Sequence, residues 1–205
     1  MLKLYYTPGT CAVATHLALE FAGASYESER VDFKAQQQRS PEYLAINPKG
    51  RVPALVTDRG VLTETPALLQ YVAQLFPQSQ LAPLDDPFLL AKMNEFNSYL
   101  CSTVHPYHAH KGRGARWADD EAAQQSMARK ASQNVADGFA LIEQHMVQGP
   151  WVLGERMSTS DLYLFTLGRW LPGHGIDVAR YPKVAALMQR LEAMPQVQKV
   201  LALQA

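Results

Sequence analysis

Two hydrophobic periods follow one another along this chain, and the change between them divides it. LKLYY at residues 2–6 is an apolar run with β-favouring Tyr5 and Tyr6, and it stops at Pro8-Gly9. A helical spacing follows, with Thr10 as N-cap, Cys11 in the first turn and Gly23 as the C-cap residue. SYESERVDF alternates and predicts a second strand, while KAQQQRSPEYLAI at 34–46 predicts an irregular helical connection that can start at Ser40-Pro41. VPALVTD and VLT are two short strands joined by the turn residues Asp58-Arg59-Gly60. Thr65-Pro66 reads as N-cap and N1 of a helix ending near Phe76-Pro77. The order β-α-β-α-β-β-α predicts a small mixed sheet with helices packed on it.

PQSQLAPLDDP at 77–87 holds three prolines and no period, so the boundary falls there, leaving a domain at 1–80 and another at 88–205. Beyond it the spacing is helical: 88 to about 110, 119–147, 159–171, 183–193 and a short helix from about 195. The second domain is therefore expected to be all-α. Within it Ser158 and Asp161 have capping-box spacing, and Met157 and Leu162 occupy the staple positions. The helix they start, TSDLYLFTLGRWL, is apolar on nearly every face and is expected at the domain's centre.

Composition narrows the function classes. With 19 basic and 19 acidic side chains in 205 residues, the basic excess that phosphate contacts require is absent, so neither a nucleic acid nor a membrane surface is an expected partner. Two cysteines make no disulfide framework, no secretory leader is expected ahead of the first strand, and no apolar run has the length of a membrane span. A cytoplasmic protein is the expectation.

Cys11 is the thiol with the most to offer chemically. The N–H groups and positive end of a helix dipole favour a thiolate at a helix N-terminus, although cysteine also serves as a small buried hydrophobe. Cys101 lies inside an apolar helical pattern and reads as packing. HPYHAH brings His105, His108 and His110 close in sequence, but Pro106 disturbs the helix and the segment has no carboxylate or cysteine, so no metal is expected. KGRGARW after it is a basic loop without a dinucleotide fingerprint, and Trp117, Trp151 and Trp170 read as core or wall residues.

Taken in order, KLYYTPGTC, NPKGRVPAL, LTET, QLAP and GERMSTSDLYLF resemble the glutathione transferases, and most of all the bacterial, cysteine-containing beta class. The resemblance spans nearly the whole chain. It implies a thioredoxin-like N-terminal domain (βαβαββα) and an all-helical C-terminal domain with the hydrophobic acceptor site. It further implies glutathione as co-substrate, bound on the first domain in the cleft between the two, a homodimer, and a role in detoxification. In the family the bond corresponding to Val52-Pro53 is cis, and the valine backbone pairs with the cysteinyl amide as an added strand would. Glu64 and Thr65 match the γ-glutamyl site: helix N-H groups and the threonine hydroxyl suit the carboxylate, and Glu64 the ammonium. Thr65 serves equally well as an ordinary cap. Lys34, Gln36 and Lys49 are candidates for the glycyl carboxylate, or simply solvated side chains.

Both Tyr6 and Cys11 match positions that face the glutathione sulfur, and Cys11 is the preferred partner, with Tyr6 secondary and structural. His105 matches a beta-class histidine that polarises the sulfur or accepts its proton. Two positions depart from that pattern: Ser98 stands where an asparagine is expected, with Asn97 one place off, and Pro106 stands where a lysine is expected. The implied activity is conjugation of the glutathione thiolate to hydrophobic electrophiles. Glutathione-dependent disulfide exchange through Cys11, and a non-catalytic binding protein that keeps the fold, are the alternatives.

Overall fold

The computed structural model describes residues 1–203 and divides into two compact units, residues 1–90 with 192–203, and residues 91–191. In the first, β1 (Leu2–Tyr6), α1 (Ala12–Phe21), β2 (Tyr26–Arg30), α2 (Pro41–Ile46), β3 (Ala54–Thr57), β4 (Gly60–Thr63) and α3 (Thr65–Leu75) follow in the predicted order. The sheet runs β2-β1-β3-β4. β1 and β2 are parallel, as their crossover helix requires, and β3 and β4 are antiparallel neighbours. This is the thioredoxin-like arrangement.

Alternation along β1 assigns the two faces. Tyr6 lies against His16 of α1 with ring centroids 5.1 Å apart, and Tyr5 meets Tyr43 of α2 edge-on at 5.8 Å, so the two helices cover opposite sides. Leu4, Leu17, Leu19, Leu55, Leu68, Leu69 and Val72 are fully buried between these elements. At about 1.5–3 kcal/mol for each large aliphatic side chain, they are the unit's main stabilising term.

Helix ends follow local chemistry. α1 closes with Gly23 at φ +64°: its N–H reaches the Glu20 carbonyl at 3.1 Å and the Ala24 N–H reaches Leu19 at 3.0 Å, a Schellman pair. α2 begins as its sequence predicts, Ser40 Oγ accepting from the Tyr43 N–H at 3.2 Å. Two caps sit one residue off their predicted places. Cys11, not Thr10, is the N-cap of α1, while Thr10 Oγ1 still accepts from the Ala12 N–H. Glu64, not Thr65, caps α3, because the Leu68 N–H already bonds to the Glu64 carbonyl at 3.0 Å.

Past α3, residues 77–86 are held rather than loose. Leu81 is buried, and Asp86 accepts the Phe88 and Leu89 N–H groups to start α4 (Pro87–Tyr99). A π-helical turn at Leu100–Val104 leads into α5 (His105–His110), followed by α6 (Glu121–Leu141), α7 (Thr159–Gly168), α8 (Pro182–Glu192) and α9 (Pro195–Leu203). All ten residues of α7 are buried, the central helix expected from its unbroken apolar pattern. Asp161 accepts the Ser158 N–H and the Val152 N–H, each at 2.7 Å, completing the capping box and tying down the preceding loop. The sequence partition places α9 with the helical domain; in the structure it packs on α1, where Lys199 pairs with Glu20 at 2.8 Å.

Candidate functional site

The turn after β1 delivers Cys11. Thr7 Oγ1 donates to the Val31 carbonyl at 2.7 Å and Thr10 Oγ1 to the Thr7 carbonyl at 2.7 Å, while Gly9 takes the left-handed φ of +70° that lets the chain reverse between them. Cys11 thus sits at the positive end of α1, half-buried, its Sγ donating to the Val52 carbonyl at 3.7 Å. Val52–Pro53 is cis. The first thiol and the Val52-Pro53 segment, 41 residues apart in sequence, are thereby side by side.

The Val52 backbone is held from behind. Tyr43 Oη and Asn47 Nδ2 both donate to the Arg51 carbonyl, at 2.7 and 2.6 Å. Asn47 Oδ1 also accepts the Lys49 N–H at 3.2 Å, and Gly50 turns the loop at φ +60°, where an added Cβ would lie 3.0 Å from the Gln38 carbonyl. Burial pushes the Tyr43 phenol up to about 12, so it stays a donor across the ordinary pH range. These two residues were not among those singled out from the sequence; the Asn47-Pro48 turn signal is there, but its target is a carbonyl that no spacing rule names.

A second group gathers at the start of α3. Lys49 Nζ bonds to Glu64 Oε1 at 2.6 Å and to Thr63 Oγ1 at 2.7 Å. Glu64 has φ +71° and ψ 117°, a region that costs an ordinary residue about 1–3 kcal/mol. Thr65 is buried as the first helical residue, and the N–H groups of this first turn have no carbonyl one turn back to reach. Lys34 and Gln36 lie on the turn after β2 and bond locally: the Lys34 N–H donates to Asp32 Oδ1, and the Gln36 amide folds back onto the Phe33 carbonyl at 3.4 Å. Tyr6 has another tie, its buried hydroxyl donating to the Leu203 carbonyl of α9 at 3.3 Å.

Comparison with known proteins identifies the family of the fold that carries these residues. Residues 1–74 match the family described as glutathione S-transferase, N-terminal domain, and residues 108–204 the corresponding C-terminal domain. Glutathione S-transferase GstA of Escherichia coli O157:H7 is 32% identical over 202 residues, 98% of this chain and 97% of that protein. The chain belongs to the glutathione S-transferase family. A crystal structure of a glutathione transferase homologue from Sulfitobacter, with bound glutathione, is 46% identical with a TM-score of 0.94, covering 98% of this chain and 96% of that one. A bacterial beta-class glutathione S-transferase from Sphingomonas chungbukensis is 30% identical with a TM-score of 0.85, covering 99% and 98%.

The helical unit of this transferase carries the remaining predicted residue. His105 opens α5 and lies edge-on to Trp170, centroids 5.1 Å apart. His108 shares that tryptophan at 5.3 Å and faces His174 at 4.8 Å, whereas His110 turns to Trp117 at 4.6 Å, so the three imidazoles of HPYHAH do not converge. Among the described residues no group of three or more His, Cys, Asp or Glu side chains is arranged to hold a metal ion. Asn97 is buried and donates from Nδ2 to Thr159 Oγ1 at 3.4 Å, while Ser98 is exposed. No helix among the described residues is long and apolar enough to cross a membrane.

Proposed function

We propose that this enzyme is a beta-like glutathione transferase that binds glutathione on residues 1–80 and directs its thiolate at hydrophobic electrophiles accepted by residues 88–205. The observation that carries the reading is the Cys11 thiol at the N-terminus of α1, 3.7 Å from the Val52 carbonyl. A tripeptide pairing with the Val52 backbone as an added strand has its own sulfur beside that thiol and the helix dipole. Lowering a thiol from about 8.5 to near 7 needs about 2 kcal/mol, within reach of a dipole and a hydrogen bond or two. The thiolate attacks an electrophilic carbon, the S–C bond forms, and the leaving group departs with its electron pair.

The γ-glutamyl carboxylate is assigned to the first turn of α3 and Thr65, and the ammonium to Glu64. Lys49 now occupies Glu64, through a pair in which both side chains are largely exposed, so little free energy holds it there. On binding, the ligand ammonium displaces Lys49, which with Lys34 and Gln36 is left for the glycyl carboxylate. His105 is assigned proton acceptance and Tyr6 a supporting place through its hold on α9. The protein is a homodimer in this reading, which sedimentation checks as twice the mass of one chain.

The same half-buried thiol favours a second reading, disulfide exchange: Cys11 attacks the glutathione sulfur of a substrate's mixed disulfide, expels the substrate thiolate, and the resulting Cys11–glutathione disulfide is cleaved by a second glutathione thiolate, which frees Cys11 and leaves as oxidised glutathione. Mass spectrometry of the native protein with oxidised glutathione, beside calorimetric titration with reduced glutathione, separates the cases for wild type and Cys11→Ala. Conjugation that survives Cys11→Ala with a Cys11 adduct in the wild type supports the transferase; loss of all turnover in the variant supports exchange. Neither binding nor adduct in the wild type overturns both.

A further inference from the structure

We infer that Tyr43 and Asn47 are positioning residues for glutathione, acting through the Arg51–Val52 peptide plane; this rests on the reading of Val52 as the glutathione-pairing backbone. The argument starts from peptide planarity. The Arg51 carbonyl and the Val52 N–H belong to one rigid trans unit and point in opposite directions, so whatever fixes the first fixes the second. Two donors fix it. Tyr43 Oη at 2.7 Å and Asn47 Nδ2 at 2.6 Å occupy both lone pairs of the Arg51 oxygen, and the side chains bringing them are only 3% and 1% exposed.

The Val52 N–H thereby points away from Tyr43 and Asn47, and among the described residues it donates to no backbone oxygen. It is the donor that an added strand requires. The clamp itself has a rigid footing. The Tyr43 ring is set edge-on against Tyr5 of β1, and the Asn47 N–H closes the end of α2 on the Tyr43 carbonyl at 2.8 Å. Asn47 Oδ1 meanwhile holds the Lys49 N–H, so one side chain orients both the strand-pairing amide and the loop that carries Lys49.

Either donor alone still anchors the carbonyl, whereas removing both releases the plane. Tyr43→Phe and Asn47→Ala are each expected to weaken reduced-glutathione binding only about two- to threefold, and the double variant by tenfold or more, since neighbours on one oxygen do not add independently. The matching kinetic signature is a rise in KM for glutathione with little change in KM for an activated aryl halide acceptor. A residue that merely supports the fold would lower the melting temperature and leave that split unmoved.

Calorimetric Kd for reduced glutathione and thermal melting, measured on wild type, both single variants and the double variant, decide the matter. Wild-type binding with an unchanged Kd in the double variant overturns the clamp alone. No binding by the wild type overturns the glutathione reading and the clamp with it. If the double variant does not fold, Tyr43→Phe carries the test, because it removes one oxygen from an otherwise packed ring: a Kd raised about two- to threefold together with that KM split supports the clamp, and an unchanged Kd overturns it.

Discussion

At Glu64 a single residue bears strain whose release can be read directly. Its φ of +71° is unfavourable for any side chain with a Cβ, and its carboxylate points to Lys49 instead of capping α3. Glu64→Gly is therefore expected to raise stability by up to about 1 kcal/mol, a few degrees in melting temperature for a chain of this size. The same change should lower glutathione affinity, a trade visible by calorimetry beside a thermal melt; a variant that loses stability would refute the strain argument. Gly50 is the opposite case. At φ +60°, with an added Cβ only 3.0 Å from the Gln38 carbonyl, Gly50→Ala is expected to cost about 1–2 kcal/mol or more in urea unfolding and to weaken glutathione binding by disturbing Lys49 and Val52.

Among the elements, α7 depends most on its beginning. Asp161 is fully buried, and it holds the Val152 N–H, the Ser158 N–H and the Ser158 hydroxyl. Asp161→Ala leaves those donors without an acceptor in a dry interior and is expected to cost about 3 kcal/mol or more by urea unfolding, against about 1 kcal/mol for Ser158→Ala, which loses only the cap. Equal effects would show that the two residues act only as a cap. This device was legible in the sequence, because a capping box is a local pattern four residues long. So were the Ser40 cap, the Gly23 ending and the hairpin at 58–60, each set by bonds within one turn of chain. The caps at Cys11 and Glu64 fell one residue away because the final turn of a helix is settled by which carbonyl the next N–H reaches, and side-chain preference alone does not decide that.

For the molecule as a whole, acid is the informative variable. His108 is buried, neither ring nitrogen has a hydrogen-bond partner among the described residues, and burial, reinforced by His174 and His105, pulls it down to about 3. Burial pulls His16 to about 4. Both imidazoles are neutral when folded but take up a proton near 6.5 when unfolded, so their contribution to stability is complete above that pH and is lost as pH falls, at about 1.4 kcal/mol per unit for each. Asp161, raised by burial to about 6, works the other way: the folded state takes its proton first, and it offsets about one histidine between pH 6 and 4. Net loss of stability on acidification through this window is expected. His108→Phe should flatten the profile by about 1.4 kcal/mol per unit below pH 6, as measured by urea unfolding from pH 7 to 4. A profile parallel to wild type would show that His108 is not buried neutral.

What the sequence determined by itself are the features held by neighbours: strand and helix order, turn residues, caps, the buried character of α7, and a family likeness spread along the whole chain. Tertiary structure decided the rest. Tyr6 gives its hydroxyl to Leu203, 197 residues away, because α9 returns to cover α1; Lys49 reaches Glu64 because β3 and β4 fold the chain back; and Tyr43 and Asn47 meet the Arg51 carbonyl because α2 and the following loop close on each other. A hydrogen bond is a matter of a few tenths of an ångström and of direction. Local preference fixes which residues can make one, but only the packed chain fixes which partner stands in reach.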